Sequence, residues 1–585
     1  MRFSPNTAAL RTSRMNSLLF AVAAMITGAV TAYGALAFLL LIDLSGSFFY
    51  GPQTHGRYLG FAALPWWHVL LATTLGGLLV GVIVAWLLAV RRNHGPADVL
   101  ESIREKDAEL SLRTGLESAV VSAVSIGAGA SVGRYGPAVH LGASLSAWLA
   151  QRLHLDRSRR VVLLGCGVAS AVAASFNAPL AGVLFVYEFM LGPHALRSFV
   201  PITIASVVGT AITRTHLGDV SIFAISRYEI TNNYEYLLLA LLGVLCGALA
   251  IAFMRSADWA MRTVGRSPIP LWLRPMLGGL LLGVIGIQFP QILGLGEHAI
   301  DDAFNQVFPV GMLLLLVAAK LMATTISLGF GFSGGVFGPA LFLGAMLGDA
   351  LGQLVAQLMP GLVSEPSIYA LAGMGAVISC VIGAPLTTIL IVFELTSNYA
   401  ITTAVMLTVV FGTMLSSRFF TGSFFRFQLE QRGVDVSSGR EVTILRGRTV
   451  AELMHTDFPV TAPDTPLSEA LQQLAPARPE ELIVVDEHGE LTGMVSLADV
   501  TFAIQTGRGD APVANVAQMP KVVLETDESL HKAMRLMENI RGIGVPVVDN
   551  RLRMRVVGFV HESDVLRAYG TAVDQARREE RGELE

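Results

Sequence analysis

The sequence predicts a polytopic, all-helical membrane domain built from a duplicated half, followed by an α/β tail that is itself a tandem repeat. Three observations predict it. The 585 residues are 53% hydrophobic and only 15% charged, with a mean hydropathy of +0.58, whereas soluble domains carry about 45–50% apolar and about 25% charged residues. The charge is unevenly placed, with 44 of the 86 Asp, Glu, Lys and Arg residues in the last 160 positions, from Arg426 to Glu585. Two pairs of apolar, Gly-rich segments also recur in the same order, at offsets of 202 and 206 residues. A wholly soluble enzyme is excluded.

The elements follow in order. Residues 1–14 read as a cytoplasmic N-terminus, because Arg2, Arg11 and Arg14 precede an apolar stretch from Ser17 to Asp43. That stretch outruns a signal h-region of about 7–15 residues and lacks a small-residue cleavage site, so it reads as a retained first span. The body extends over 15–433. Apolar runs follow at Trp66–Val90, Val161–Leu191, Phe199–Thr213, Tyr236–Phe253, Met276–Ile287, Val310–Leu328, Ala340–Leu358, Tyr369–Ile382 and Ala400–Phe411. Several are too short to cross about 30 Å of hydrocarbon, which suggests helices ending at mid-depth around a site. Cys166, Cys246 and Cys380 lie in apolar runs without metal or disulfide spacing and read as small buried hydrophobes. The net charge of −4, without a basic stripe, speaks against nucleic acid as a partner.

The repeat carries the chemistry. Gly127–Ser146 (GAGASVGRYGPAVHLGASLS) and Gly329–Gly348 (GFGFSGGVFGPALFLGAMLG) agree at 11 of 20 positions; Gly167–Met190 and Gly373–Thr396 agree at 7 of 24. In each first segment a Gly-rich approach leads into G-P, which opens a helix. Helix N-termini present unpaired N–H groups and a positive dipole end, so two such starts aimed at one point make an anion site. No metal-ligand cluster, Walker loop or nucleophile–base arrangement is visible in the body, so neither an enzyme nor a pump is expected.

These residues resemble the CLC family of chloride channels and proton-coupled chloride antiporters over about Arg14–Gly433. GRYGPAVH at Gly133–His140, FNAPLAGVLFVYE at Phe176–Glu188, GGVFGPALFLGA at Gly334–Ala345 and GAPLTTILIVFELT at Gly383–Thr396 match four ordered signatures. The resemblance implies a CLC-like inverted repeat and a homodimer with one anion path per subunit. It places Arg134, Tyr135, Gly136, Val336, Phe337 and Phe425 along that path, with Phe424 as the neighbouring alternative to Phe425. His94 stands where a chloride-binding serine is usual, as an anion ligand or as a packed residue. Three departures matter. The family's gating glutamate is Tyr135, whose phenol is neutral at pH 7. The usual inner proton glutamate is Phe189, so that relay position is lost. The pore tyrosine is Phe425. Glu188 and Glu394 correspond in the repeat and read as a structural acidic pair. Lys320, which with Lys106 is the body's whole lysine content, reads as structural.

After a linker at 434–448 the pattern changes to short β-branched runs alternating with amphipathic helices. Val460–Leu474 parallels Val523–Met537, Leu482–Asp486 parallels Val545–Asp549, and Leu491–Val500 parallels Val556–Val565, at offsets of 63, 63 and 65. This resembles a tandem pair of CBS domains at 449–506 and 514–571, with a polar tail at 572–585. The resemblance implies an adenine nucleotide site using Ser496 and Asp499 in the first copy. In the second, His561 replaces the hydroxyl before Asp564. Nucleotide sensing and pure dimer scaffolding both remain open; no other cofactor is expected.

The expectation is a passive chloride-type anion channel in the lipid bilayer of a bacterial inner membrane, with termini and tail cytoplasmic. The alternatives are a chloride/proton antiporter using other titratable groups and a nucleotide sensor merely anchored by its body.

Overall fold

In the computed structural model the apolar runs are helices, as lipid requires of a backbone that must satisfy its own hydrogen bonds. The structure describes all residues except 1–6, 53–57, 88–91, 106–107, 192–197, 219–231, 233, 361–363, 421, 435–439, 478–480, 539–543 and 582–585. Arg2 and Lys106 lie outside the described residues. The chain forms two compact units, Met1–Asp435 and Val436–Glu585.

Among the described residues of the first unit, seven helices are long and apolar enough to cross a membrane. Their outward residues are apolar too: Phe48, Leu237 and Tyr399 are exposed. A face of that kind is built for lipid. The first helix runs Thr7–Tyr50, so helix begins inside the segment expected to be a separate N-terminus. Shorter apolar helices, among them Pro179–Leu191 and Pro385–Thr396, are interleaved with the long ones.

The broken helices have local causes. Arg157–Phe176 ends at Asn177, whose φ of 56° is left-handed, and Pro366–Ile382 ends at Gly383 with φ of 74°. Asn and Gly are the residues that tolerate this cap. Each break is followed two residues later by proline at a helix start, Pro179 and Pro385, where a missing N–H costs nothing. The single run expected at Val161–Leu191 is therefore two helices.

The duplication is visible as reciprocal contacts. Ser131 N donates to Ser327 Oγ at 3.0 Å, and Ser333 N donates to Ser125 Oγ at 3.1 Å. Positions 125 and 131 correspond to 327 and 333 in the repeat, so the two bonds are one contact made twice with roles exchanged. Reciprocity of this type belongs to a two-fold relation, as in an isologous interface. It relates the two copies by a local two-fold, antiparallel where they meet.

The second unit contains two three-stranded sheets, each with one parallel and one antiparallel pairing. In the first, Val460 pairs with Ile483 and Glu481 with Ser496; in the second, Leu524 pairs with Val547 and Gly544 with His561. The copies again exchange partners: His455 and Phe559 bond mutually at 2.8 and 2.9 Å, as do Met494 and Gln518. Helix also forms on either side of the paired sheets. The linker holds a helix, Arg440–Arg446, whose Leu445 is buried in the core of the second copy. The final helix, Glu562–Arg581, runs past 571, and Ala572 and Ala576 are buried. Two alanines four residues apart lie on one face of that helix, which is enough to dock an otherwise charged segment.

Candidate anion pathway

Two helix starts meet near the centre of the first unit. Gly133 N donates to Gly335 O at 2.6 Å and Gly335 N to Gly133 O at 2.7 Å, an antiparallel bridge between the repeats. A Cβ on Gly133 would lie 2.6 Å from Gly338 N, so only glycine lets the backbones approach this closely. Immediately beyond the bridge begin the helices Tyr135–Arg152 and Phe337–Leu358. Their first amides, at Tyr135 and Gly136 and at Phe337 and Gly338, have no acceptor within their own helix.

A cavity of about 20 Å³ lies against these two starts, room for about one water-sized particle. Gly136, Tyr135, Val336, Phe337 and Phe425 all line it, as do Pro96, Phe176 and Phe185. Five of the sequence-derived pathway residues thus share one wall. Aromatic rings close the cavity on two sides. Tyr135 stacks on Phe176 with centroids 4.1 Å apart, and Phe337 lies 5.0 Å from both rings. Phe189 stacks on Phe185 at 4.8 Å and meets Phe425 edge-on at 5.6 Å. The lining contains no ionisable carboxylate or ammonium; its polar side chains are the Tyr135 phenol and the Ser175 hydroxyl. Phe424 is buried but does not line it.

His94 and Arg134 stand off this wall. His94 Nδ1 lies 3.3 Å from Asp98 Oδ1, its ring stacks on His140 at 5.6 Å, and it is Pro96, two residues on, that reaches the cavity. Asp98 also pairs with Arg92 at 2.7 Å and Arg432 at 3.2 Å. Burial works against this carboxylate, but the His94 hydrogen bond and the charges of Arg432 and Arg92 more than offset it and hold the carboxyl well below the usual range. Arg134 places its guanidinium over the Tyr135 ring at 5.2 Å and pairs with Glu297 at 3.1 Å. Glu297 is not marked by any motif in the sequence. Phe176 and Phe185 lay inside a quoted signature but carried no chemistry that singled them out.

Glu188 and Glu394 cap each other's neighbours. Glu188 accepts from Leu386 N at 2.9 Å, Thr387 N at 2.8 Å and Thr387 Oγ1 at 2.7 Å. Glu394 accepts from Leu180 N at 2.9 Å and Ala181 N at 2.8 Å. Each carboxylate sits on the orphan amides of the short helix in the other copy. Lys320 is fully buried and donates to Ile292 O at 2.9 Å and Gly294 O at 3.1 Å, beneath the face of Phe342. Among the described residues no group of three or more His, Cys, Asp or Glu side chains converges as metal ligands.

Residues 76–417 match the family model described as voltage gated chloride channel. The chain belongs to the CLC family. It is a CLC anion transport protein, integral to a membrane, with CBS domains matched at 450–506 and 513–571. A putative chloride channel protein ClcB-like of Ralstonia nicotianae is 33% identical over 354 residues, which are 60% of this chain and 82% of that protein. An H(+)/Cl(-) exchange transporter ClcA of Vibrio vulnificus is 33% identical over 283 residues, 47% of this chain and 60% of that one. Among solved structures, a eukaryotic CLC transporter aligns over 94% of this chain and 98% of its own, with a TM-score of 0.62 and 21% identity. At that identity the likeness speaks for the CLC fold alone.

In the CBS unit, Ser496 caps the helix Leu497–Gln505, accepting from Asp499 N at 3.1 Å and donating to Asp499 Oδ2 at 2.5 Å. Asp499 is exposed at that helix start. Asp564 is engaged by His455 Nε2 at 2.8 Å, and the His561 ring packs on His455 and Phe559. The residues present fit a nucleotide better in the first copy than in the second.

Proposed function

We propose that this CLC protein lets chloride-type anions pass down their electrochemical gradient, without obligatory proton exchange. One observation carries the reading. At the two positions where exchange needs an acid stand Tyr135 and Phe189, and both are packed in ring-to-ring contact around the constriction. A group that carries a proton must alternate between charged and neutral states; phenylalanine cannot, and an ordinary phenol does so only near pH 10. The amides at the two helix starts supply the attraction for the anion, and the rings set its size limit. The test is the reversal potential of the protein in planar bilayers or liposomes, under a pH gradient with symmetric chloride. It stays at zero for passive conduction. A shift towards the value for fixed chloride/proton coupling overturns the reading.

A second reading, proton-coupled exchange through other titratable groups, draws support from the Vibrio relative named an exchange transporter and from Glu297, whose Oε1 lies 3.5 Å from the Tyr135 hydroxyl. The same measurement decides between them.

The assembly we infer is a homodimer with one path per subunit. We place it in a bacterial inner membrane, with Arg2, Arg11 and Arg14 on the cytoplasmic side together with the CBS unit. A monomeric mass in detergent at micromolar concentration counts against the dimer. Adenine nucleotide is the ligand we assign to the Ser496–Asp499 copy, for regulation rather than chemistry.

A further inference from the structure

We propose that Glu297 is a proton-operated latch on the aromatic plug, holding Arg134 and Tyr135 in the closed arrangement while ionised and releasing them when protonated. The inference rests on the Tyr135 cavity being the anion path.

The placement of Glu297 is fixed from both halves of the repeat. Gly294 N donates to Gly129 O at 3.1 Å, four residues before the Gly133 bridge, and Lys320 holds the Ile292 and Gly294 carbonyls from the other copy. Gly296 then turns through φ of 76° into the helix Glu297–Phe304. From that anchored start a single oxygen, Oε1, meets both Arg134 Nη2 at 3.1 Å and the Tyr135 hydroxyl at 3.5 Å. Arg134 in turn covers the Tyr135 ring. Opening the constriction requires the Tyr135 ring to leave Phe176 and Phe337, and so to leave this ion pair as well.

The acid is reachable by protons although the phenol is not: the Glu297 side chain is 29% exposed, whereas Tyr135 is buried. The charged groups tied to it are Arg134, in direct contact, and Asp301 on its own helix; Asp43 on the first helix acts on Arg134, Asp302 acts on Asp301, and Lys320 Nζ lies near Gly296. Burial and then the charges of Glu297 and Asp302 push the Asp301 carboxyl up to about 6. Protonation of Glu297 leaves Arg134 without its anchor, and loss of the Asp301 charge removes a neighbouring negative group. Where the family resemblance places a gating acid inside the signature, this chain presents one from a separate helix.

The experiment measures chloride efflux from liposomes as the outer pH is stepped from about 7.5 to about 4.5, across the carboxylate range. Wild-type flux should rise roughly tenfold, the shift a charge-assisted hydrogen bond can supply. Glu297→Gln, a mimic of the protonated acid, should be fast at neutral pH and flat with pH. Tyr135→Phe keeps the ring and removes the hydroxyl; combined with Glu297→Gln it should add nothing further. A pH-independent wild type, or acid activation retained in Glu297→Gln, overturns the latch. If Glu297→Gln does not fold, the wild-type profile alone decides. A proton-coupled reversal potential would overturn passive conduction instead, leaving the latch to be judged by the flux profile.

Discussion

Replacing Glu188 by alanine tests whether the acidic pair acts as a mutual cap or as a proton carrier. The change strips three hydrogen bonds from the start of the Pro385–Thr396 helix: Leu386 N, Thr387 N and Thr387 Oγ1. Hydrogen bonds to a charged group contribute about 1.5–3 kcal/mol each, and at the lower end, suited to bonds that are exposed or only part-buried, the loss comes to about 4.5 kcal/mol. The mirror change Glu394→Ala removes only two, because Ala181 has no hydroxyl where Thr387 has one. Its cost on the same scale should be about 3 kcal/mol. Heating the detergent-solubilised protein and following the surviving dimer by gel filtration gives both values as midpoints. Glu188→Ala should fall by roughly 5–10 °C and Glu394→Ala by roughly two thirds as much. Glu188→Gln should keep the reversal potential of the wild type. Equal midpoints for wild type and Glu188→Ala, or a larger loss at Glu394, would refute the cap; a changed coupling ratio in Glu188→Gln would make it a proton carrier.

Further outcomes follow from the same geometry. Tyr135→Ala should raise anion flux by removing one ring of the plug, and Tyr135→Glu should bring inhibition at neutral pH that acid relieves; flux assays on both variants check this. In the CBS unit, Asp499→Ala should abolish thermal stabilisation by AMP, ADP or ATP, while Asp564→Ala, which frees a residue already held by His455, should weaken it less. For Asp98 the folded-state carboxyl is depressed, so its stabilising effect is complete above the unfolded value near about 4 and is lost only as pH falls further. Asp98→Asn should therefore flatten the acid limb of the melting midpoint below about pH 4 and lower the midpoint at neutral pH; an unchanged acid limb would count against the His94–Asp98–Arg432 cluster.

Much of this was legible from spacing. An offset of 206 carries Glu188 onto Glu394 and the two A-P-L helix starts onto each other, and the cross-capping is what that correspondence looks like in space. The 202 offset likewise carries Tyr135 onto Phe337, which meet at 5.0 Å. What spacing could not convey is contact between segments with no repeat relation. Glu297 is 162 residues from Tyr135, in a stretch whose local pattern is an ordinary acidic helix start. His94 pairs with Asp98, a carboxylate also held by Arg92 and Arg432, two arginines far apart in sequence. In the tail, charge density concealed Ala572 and Ala576, because two alanines contribute little to a composition average yet suffice to bury one helical face.

The exchanged caps also set an order on biosynthesis. Leu180 N and its acceptor on Glu394 are separated by 214 residues, which at about 5–20 residues per second take roughly 10–40 s to synthesise. Through that interval the short helix beginning at Pro179 has been made, but the carboxylate that satisfies its first amides has not. Each half lacks the caps that the other supplies, so neither should reach a finished state if expressed alone. Supplying the second half as a separate chain, made in the same cell, would restore the missing caps in trans.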